Sequence, residues 1–385
     1  MATKGSENRM ATMKTRSQAP SATTESPTTV DFQIAYDAGA GQDKIIAYTS
    51  LGVELGRHAE MALAGVSQWS DLGLRDQRPS PILIEESVRV DDTDEFLEHR
   101  IVYGVGANMI YQPDARFDTS ARRYTDNLAK VRFHAAISKV LKAREGSIAL
   151  TVGLSADQYR DVVIRDTVKR FYAGKHLFMA DGKRREYYVA EVTVLPQPWA
   201  AARAVRQNPP EKFTAMLATY PMSESVTVVV DGGNKDTDVT ILRPSTTKAG
   251  SLEVTDMFST EEAVNTMRQR VATRIYEITG ETPSLWLTES VFTTGILPRG
   301  HENVDLSVFV ADTKTAVWLS MYSKIAERLA KVPMRYFIVV GGLGIVAADA
   351  IYGTVLSSGK KLRDMPGFCI PSNPSWVVVE GFHGR

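Results

Sequence analysis

The sequence predicts an α/β fold with two related halves, and three glycine-rich elements support this prediction. Two of them are hairpins of one design, at 30–50 and 225–242: an apolar strand ends in an aspartate, a glycine turn follows and a second strand returns. The third, at 339–351, reads as a strand, a glycine turn and a helix. The 385 residues are enough for two cores at roughly 150 residues per domain.

The first hairpin begins with apolar residues at 30, 32, 34 and 36, with Asp31 and Gln33 between them, a period of two that indicates a strand. Asp37 ends this strand, and Lys44 begins the return strand. Gly39, Ala40 and Gly41 lie in the turn between them. Backbone N–H groups of such a turn form a nest for an anion, and a lysine adds a point charge suited to phosphate.

The second hairpin, SVTVVVDGGNKDTDVTIL, again ends its first strand in an aspartate, Asp231, followed by Gly232 and Gly233. A carboxylate beside an anion nest repels phosphate unless a cation lies between them. Magnesium fills this place, because it binds through one or two carboxylates together with waters and phosphate oxygens. Either hairpin alone is also explained as an ordinary glycine turn. The pair predicts two turns that clamp a magnesium-bound triphosphate.

The third element, VVGGLGIVAADAI, places Gly341, Gly342 and Gly344 between a strand and a helix, where backbone lies flat against a ligand and the helix N-terminus favours negative charge. It also satisfies G-x-G-x-x-A, but a dinucleotide fingerprint normally opens its domain, whereas this one lies near the C-terminus. The surrounding apolar stretch at 336–356 is long enough to span a membrane. Asp349 and the glycines favour a buried strand, turn and helix instead.

Composition excludes several other classes of protein. Lys plus Arg and Asp plus Glu number 45 each, so no overall charge attracts nucleic acid or anionic lipid. Cys369 is the only cysteine, which excludes an internal disulfide and fits a cytoplasmic protein. The six histidines lack the spacing of a zinc site, and no P-loop motif is present. Residues 1–29 are polar and predicted to be a disordered tail without a secretory signal.

The three glycine elements, in this order, resemble the motifs of the actin-like ATPase superfamily. Residues 37–44 look like its phosphate-1 motif, 231–238 like phosphate-2 and 341–344 like its adenosine motif. Five further stretches resemble the bacterial plasmid-segregation branch, the ParM/StbA-like proteins: 102–110, 122–141, 150–159, 192–201 and 371–382.

This resemblance implies an actin-like fold: two RNase H-like domains around a nucleotide cleft, each with a smaller subdomain. The implied domains are 30–205, to which 360–385 returns, and 206–359, with 1–29 outside. ATP and magnesium are the implied cofactors. The implied partners are further copies of the chain in a filament and a DNA-binding adaptor protein, with no direct contact to nucleic acid or membrane.

The resemblance also assigns roles to individual residues. Asp37 and Asp231 would serve the metal, and Lys44 the β- and γ-phosphates. Phosphate contacts would come from Gly39, Ala40, Gly41, Gly232, Gly233 and Asn234, and adenosine contacts from Gly341, Gly342, Leu343 and Gly344. Arg268 and Gln269 match positions that line ribose or adenine in the superfamily. Polar residues at these positions are also explained by a helix that lies on the protein surface.

Gln197 falls where segregation relatives place a glutamate that positions the attacking water. Glutamine orients water in other NTPases, but it is a poor base. Gln197 is alternatively a turn residue between Pro196 and Pro198. Asn234 and Lys235 replace the usual small or hydroxyl residues, and Ala40 replaces a common serine. These departures leave the hydrolysis rate and the preference for ATP over GTP open.

The predicted function is that of an ATP-hydrolysing filament protein that moves or segregates plasmid or similar DNA. Two alternatives remain open. A small-molecule kinase of the same superfamily needs a carboxylate base at the place that Gln197 occupies. A non-polymerising nucleotide sensor would bind nucleotide without hydrolysing it.

Overall fold

The structure is a computed structural model that describes residues 29–66, 82–87, 100–105, 116–117, 124–142 and 144–383. The predicted tail at 1–29 lies outside these ranges except for its last residue. Two large sheets, one from each half of the chain, organise the described residues. The stretch at 336–356 forms a strand and two short helices, and no helix among the described residues has the length and apolar composition needed to cross a bilayer.

The described residues of the N-terminal half form a ten-stranded sheet and five α-helices. Its strands are β1 (Phe32–Ala38), β2 (Gln42–Thr49), β3 (Glu54–Met61), β4 (Leu63–Val66), β5 (Ile82–Ser87), β6 (Arg100–Val105), β7 (Arg116–Phe117), β8 (Gly146–Leu154), β9 (Gly174–Ala180) and β10 (Lys183–Pro196). Its helices are α1 (Asn127–Leu141), α2 (Ala156–Arg160), α3 (Val162–Tyr172), α4 (Gln197–Gln207) and α5 (Thr214–Thr219). The strand order is β3-β2-β1-β8-β10-β9-β5-β6-β4-β7.

The C-terminal half carries a five-stranded sheet, a separate hairpin and six helices. Its strands are β11 (Thr227–Gly232), β12 (Thr237–Pro244), β13 (Leu252–Thr260), β14 (Ile296–Arg299), β15 (Glu302–Asp305), β16 (Tyr336–Gly341) and β17 (Phe368–Cys369). Its helices are α6 (Val264–Thr279), α7 (Leu285–Thr294), α8 (Ser307–Leu329), α9 (Leu343–Val346), α10 (Ala348–Gly353) and α11 (Val377–Phe382). The sheet order is β13-β12-β11-β16-β17, and β14 pairs with β15.

The two sheets are built on the same plan. In each, three strands form an antiparallel meander, and the first strand of the meander pairs in parallel with the next strand of the sheet: β1 with β8 and β11 with β16. The order β3-β2-β1-β8-β10 therefore corresponds to β13-β12-β11-β16-β17. The two related halves predicted from the repeated hairpin are present as a repeated sheet topology.

Hydrophobic side chains fill three layers. One buried cluster joins α1 and α3 to the first sheet, and a second joins α6, α7 and α8 to the second sheet. A third cluster lies between the sheets and includes side chains of α4 and α11 together with β1, β2, β11 and β16. Within this cluster α4 packs against β11 and α11 packs against β1, so the two helices connect the two sheets.

Candidate functional site

A cavity of about 290 Å³ lies between the two hairpin turns. Its lining comes from the first hairpin, the second hairpin, the start of α6 and the residues after β16. The predicted site residues in its wall are Asp37, Gly39, Ala40, Gly41, Lys44, Gln197, Asp231, Gly233, Asn234, Arg268, Gly341 and Gly342. Segments far apart in sequence therefore meet at one place, where both sheets end their first strands.

At the first turn, the carboxylate of Asp37 contacts two other predicted site residues, Lys44 and Gln197. Asp37 and Lys44 lie opposite each other in the β1–β2 register, and Lys44 Nζ lies 3.1 Å from Asp37 Oδ2. Gln197, the first residue of α4, donates a hydrogen bond of 2.6 Å from Nε2 to the other carboxylate oxygen, Oδ1. All three side chains are buried. A cation and an amide donor thus compensate the buried charge of Asp37.

The glycines of the first turn permit close approaches that a side chain would prevent. A Cβ on Gly39 would lie 2.3 Å from the carbonyl oxygen of Gln42, within the turn itself. A Cβ on Gly41 would lie 2.7 Å from Cβ of Asn234, which belongs to the turn of the other hairpin. The two turns are therefore in contact with each other across the cavity wall.

At the second turn, Asp231 ends β11 opposite Asp238 of β12. Burial, together with the charges of Asp37 and Asp238, raises the pKa of Asp231 to about 7 against the opposing effect of Lys44. The two predicted metal-binding residues, Asp37 and Asp231, line the same cavity, and the charge of Asp37 disfavours ionisation of Asp231. Their mutual repulsion is what a bound cation would relieve.

The third glycine element closes the cavity behind Asp231. Gly341 has a φ of +77°, and a Cβ there would lie 2.6 Å from Oδ1 of Asp231. Only glycine satisfies both the backbone conformation and the close approach. Three other predicted residues pack behind the wall: Leu343 fills the space beside Gly232, and Gly344 faces Pro374. Their predicted roles in binding stay predictions.

The two residues predicted from α6 point to different places. Arg268 lines the cavity, donates a hydrogen bond from Nη1 to Oδ1 of Asn234 and forms an ion pair with Glu289 of α7. Its guanidinium also lies 5.2 Å from the ring centre of Phe292. Gln269 lines a separate groove between β13, α6 and α8. Arg268 is thus tied to the second turn, whereas Gln269 lies outside the cavity.

Sequence reasoning missed a buried ion pair beneath the first turn. Arg132 of α1 lies with Nε 2.8 Å from Oδ2 of Asp43, the residue before Lys44. Asp43 is visible in the sequence as a charged residue at the start of the return strand. Its partner is 89 residues away, and no local pattern relates the two.

Sequence reasoning also missed a second cavity, of about 270 Å³, that shares Ile345 and Val346 of α9 with the first. It is lined by the end of α7, the first turns of α8 and the start of α10. Lys314 of α8 lines this cavity with Asp349 of α10; burial lowers the pKa of Lys314, and the Asp349 carboxylate opposes that effect. The two cavities are therefore neighbours on either side of α9.

The donors in the wall suit a hard divalent cation. Asp37 and Asp231 supply two carboxylates, which is the number that magnesium commonly takes from a protein when phosphates and waters complete its shell. Among the described residues, no group of three His, Cys, Asp or Glu side chains is placed to hold a metal by itself. The site therefore fits a cation that arrives with a phosphate ligand rather than one held by protein alone.

Comparison with known proteins gives one match in sequence and several in structure. Residues 35–199 match the family model described as the N-terminal domain of actin-like proteins. No curated protein sequence matches the chain. An archaeal actin homologue in complex with ADP has a TM-score of 0.67 at 14% identity, over 92% of this chain and 98% of the other.

Two ParM structures are similar to the same extent. A 15-stranded ParM filament from Clostridium botulinum gives a TM-score of 0.66 at 14% identity, over 92% of this chain and 98% of that chain. Bacillus thuringiensis ParM with ATP gives a TM-score of 0.62 at 14% identity, over 92% and 97%. At these identities the likeness concerns the fold.

Proposed function

We propose that this chain, which has the actin-like fold and matches the N-terminal domain of actin-like proteins over 35–199, is an ATP-hydrolysing protein that assembles into filaments. The family match and the three structures confirm the fold and the superfamily resemblance predicted from the sequence. One observation carries the proposal: two aspartate-tipped hairpins and a glycine-rich strand end, from both halves of the chain, line one cavity.

The phosphates of the nucleotide would lie between the two turns. Backbone N–H groups of 39–41 and of Asn234 would donate to phosphate oxygens. The N–H of Gly233 already donates to the carbonyl oxygen of Asp236 at 3.0 Å. Lys44 forms an ion pair with Asp37, and its ammonium group would also contact a phosphate group of the bound nucleotide. Magnesium, held by Asp37 and Asp231, would supply countercharge between phosphate and carboxylate when bound.

The base and sugar would occupy the second cavity. It adjoins the first at Ile345 and Val346, which line both cavities. Lys314 and Asp349 offer one donor and one acceptor there for the edge of a base. Arg268 is held at the second turn by Glu289 and Asn234, so we assign it to the phosphate side instead of the base.

Gln197 would orient the attacking water. Its amide is buried at the start of α4, beside Asp37 and in the wall that faces the second turn. A glutamine amide can donate to and accept from a water, but it removes no proton, so this residue aligns the nucleophile without acting as a base. That arrangement favours hydrolysis slow enough to act as a timer.

Assembly would depend on the nucleotide through the two halves that line the cavity. ATP would favour the filament only if it binds the assembly-competent conformation more tightly than ADP does. Similarity to a ParM filament structure supports self-association. We further propose that the filaments act in the cytoplasm and move or segregate plasmid or similar DNA through a DNA-binding adaptor.

Sedimentation of the pure protein with ATP, with ADP or without nucleotide, combined with phosphate release, tests this proposal. We expect pelleting that depends on ATP and phosphate release that follows it. Phosphate transfer that requires an added sugar or carboxylic acid would indicate a small-molecule kinase. Nucleotide binding without pelleting or release would indicate a sensor. Either result would contradict the proposed function.

A further inference from the structure

The buried ion pair of Asp43 and Arg132 lies directly beneath the turn that faces the cavity. The side chain of Arg132 is fully buried, and that of Asp43 is 2% exposed. Arg132 Nε lies 2.8 Å from Asp43 Oδ2, and Nη2 donates a hydrogen bond of 3.0 Å to Asp43 Oδ1. The guanidinium thus lies against both carboxylate oxygens and forms a hydrogen bond to one of them, Oδ1.

The same guanidinium also reaches the other end of the turn. Nη2 of Arg132 donates to the carbonyl oxygen of Gly39 at 3.5 Å, whereas Asp43 follows the turn in β2. One side chain from α1 therefore contacts the turn where it begins and where it ends. Adjacent strand residues point to opposite faces, so Asp43 faces Arg132 while Lys44 faces Asp37 and the cavity.

Buried aromatic side chains lie near this ion pair. Tyr36, Phe133 and Tyr172 are buried and pack edge to face or tilted against one another, with ring centres between 5.1 and 6.2 Å apart. In such surroundings the attraction between the two charges is strong, and displacement of either partner leaves a buried charge unpaired. The turn is therefore held firmly by α1.

We propose that Asp43 and Arg132 are positioning residues that hold the turn at 39–42 in the conformation that binds phosphate. This inference rests on the proposed nucleotide-binding function. The pair touches no ligand itself. It acts through the backbone N–H groups of the turn and through Lys44, whose place in the strand is set by Asp43 beside it.

Overall stability does not account for the pair. A buried ion pair is often replaced by apolar residues of similar size without loss of stability, because removing both charges also removes their desolvation cost. The pair is instead placed where one guanidinium fixes two ends of a short glycine turn. The turn contains Gly39 and Gly41, and glycine gives the backbone the greatest freedom to move away from a binding conformation.

The decisive experiment uses the double variant Asp43→Val, Arg132→Met, which removes both charges and keeps apolar volume. Thermal unfolding without nucleotide and titration with ADP and with a non-hydrolysable ATP analogue are measured on the full chain. We expect the unfolding midpoint of the double variant to remain close to that of the wild type. We expect its dissociation constant for either nucleotide to rise by about tenfold or more.

A matched control is Arg57→Met. Arg57 lies on neighbouring β3 and forms exposed ion pairs with Glu54 and Glu380, away from the turn. Its loss should leave nucleotide affinity unchanged. If the double variant does not fold, Arg132→Lys decides the question, because lysine keeps the charge but cannot engage Asp43 and the carbonyl of Gly39 together. Arg132→Lys should bind nucleotide more weakly while its unfolding midpoint without nucleotide changes little.

The positioning role would be overturned if the double variant folds and binds nucleotide with wild-type affinity. The same holds for Arg132→Lys if that variant is used instead. Unfolding of both variants would also overturn it, because the pair would then be required for the fold itself. The wild type separates this failure from failure of the proposed function: wild-type protein that binds neither ADP nor the ATP analogue contradicts nucleotide binding altogether.

Discussion

Gly41 and Asn234, which belong to hairpins from opposite halves of the chain, lie against each other, and a Cβ on Gly41 would come within 2.7 Å of Cβ of Asn234. The two turns that line the cavity thus lie so close that a side chain at position 41 would meet Asn234. The side chain of Asn234 is fixed in turn by Arg268, which donates to its Oδ1.

Gly41→Ala is expected to separate the two turns. The added methyl group would lie too close to Asn234, so either the turns or the Asn234 side chain must move. We expect nucleotide affinity to fall by about tenfold, which corresponds to about 1.4 kcal/mol. Calorimetric titration with ADP measures this change.

Gly353→Ala provides the control for Gly41→Ala, because no heavy atom lies within 4 Å of the Cβ that it would add at the end of α10. This variant should bind ADP as the wild type does. Equal affinity of Gly41→Ala and wild type would show that the contact between the turns does not matter for binding.

Asp231→Asn is expected to have opposite effects on function and on stability. Burial raises the pKa of Asp231 to about 7 in the folded protein, from about 3.9 in an unfolded chain. The folded state therefore binds this proton more tightly, and its stability falls as pH rises from about 4 through 7. Asparagine removes this titration. Without nucleotide, the variant should be more stable than the wild type above pH 7 by about 1–3 kcal/mol.

Urea unfolding between about pH 5 and 8 measures the stability difference, which should shrink toward the acid end of the range. Phosphate release should be abolished in Asp231→Asn, because the variant lacks one of the two carboxylates assigned to the metal. A stability difference that does not depend on pH would contradict the assigned ionisation. Wild-type phosphate release would contradict the metal assignment.

The sequence predicted those parts of the fold and site that are encoded locally. Asp37, the glycines after it and Lys44 are close in sequence, so their register across a hairpin follows from turn length alone. The same holds for Asp231 and for Gly341, where a positive φ requires glycine. The repeated hairpin also indicated the repeated sheet order.

The remaining features depend on contacts between distant segments. Arg132 reads as one basic residue of an amphipathic helix, and only the packing of α1 on β2 brings it to Asp43. The second cavity arises where α7, α8 and α10 meet, and no motif marks Lys314. Gln269 and Arg268 are adjacent in sequence, but successive helix residues point in different directions, so one lines the cavity and its neighbour does not.

Cys369 is expected to react with thiol reagents only when the protein opens. It is 1% exposed in β17, and burial raises its pKa to about 12. At pH 8 its thiolate fraction should be about a thousandfold below that of a free cysteine. Because the chain has no other cysteine, labelling with iodoacetamide reports on this site alone. ADP should slow labelling further if it binds the folded state, and labelling as fast as that of free cysteine would contradict the burial.

Gln197→Met is expected to separate hydrolysis from binding. The side chain of Gln197 packs tightly against Gly153, since a Cβ added to that glycine would lie 2.8 Å from Cγ of Gln197. Methionine keeps this packing volume but removes the amide that donates to Asp37. If the amide orients the attacking water, phosphate release should fall by about a hundredfold, while ADP affinity stays near that of the wild type. Filaments of the variant formed with ATP should then persist longer in a pelleting time course, because ATP in them is hydrolysed more slowly. Unchanged phosphate release would assign Gln197 to the structure of the turn between β10 and α4 instead of to catalysis.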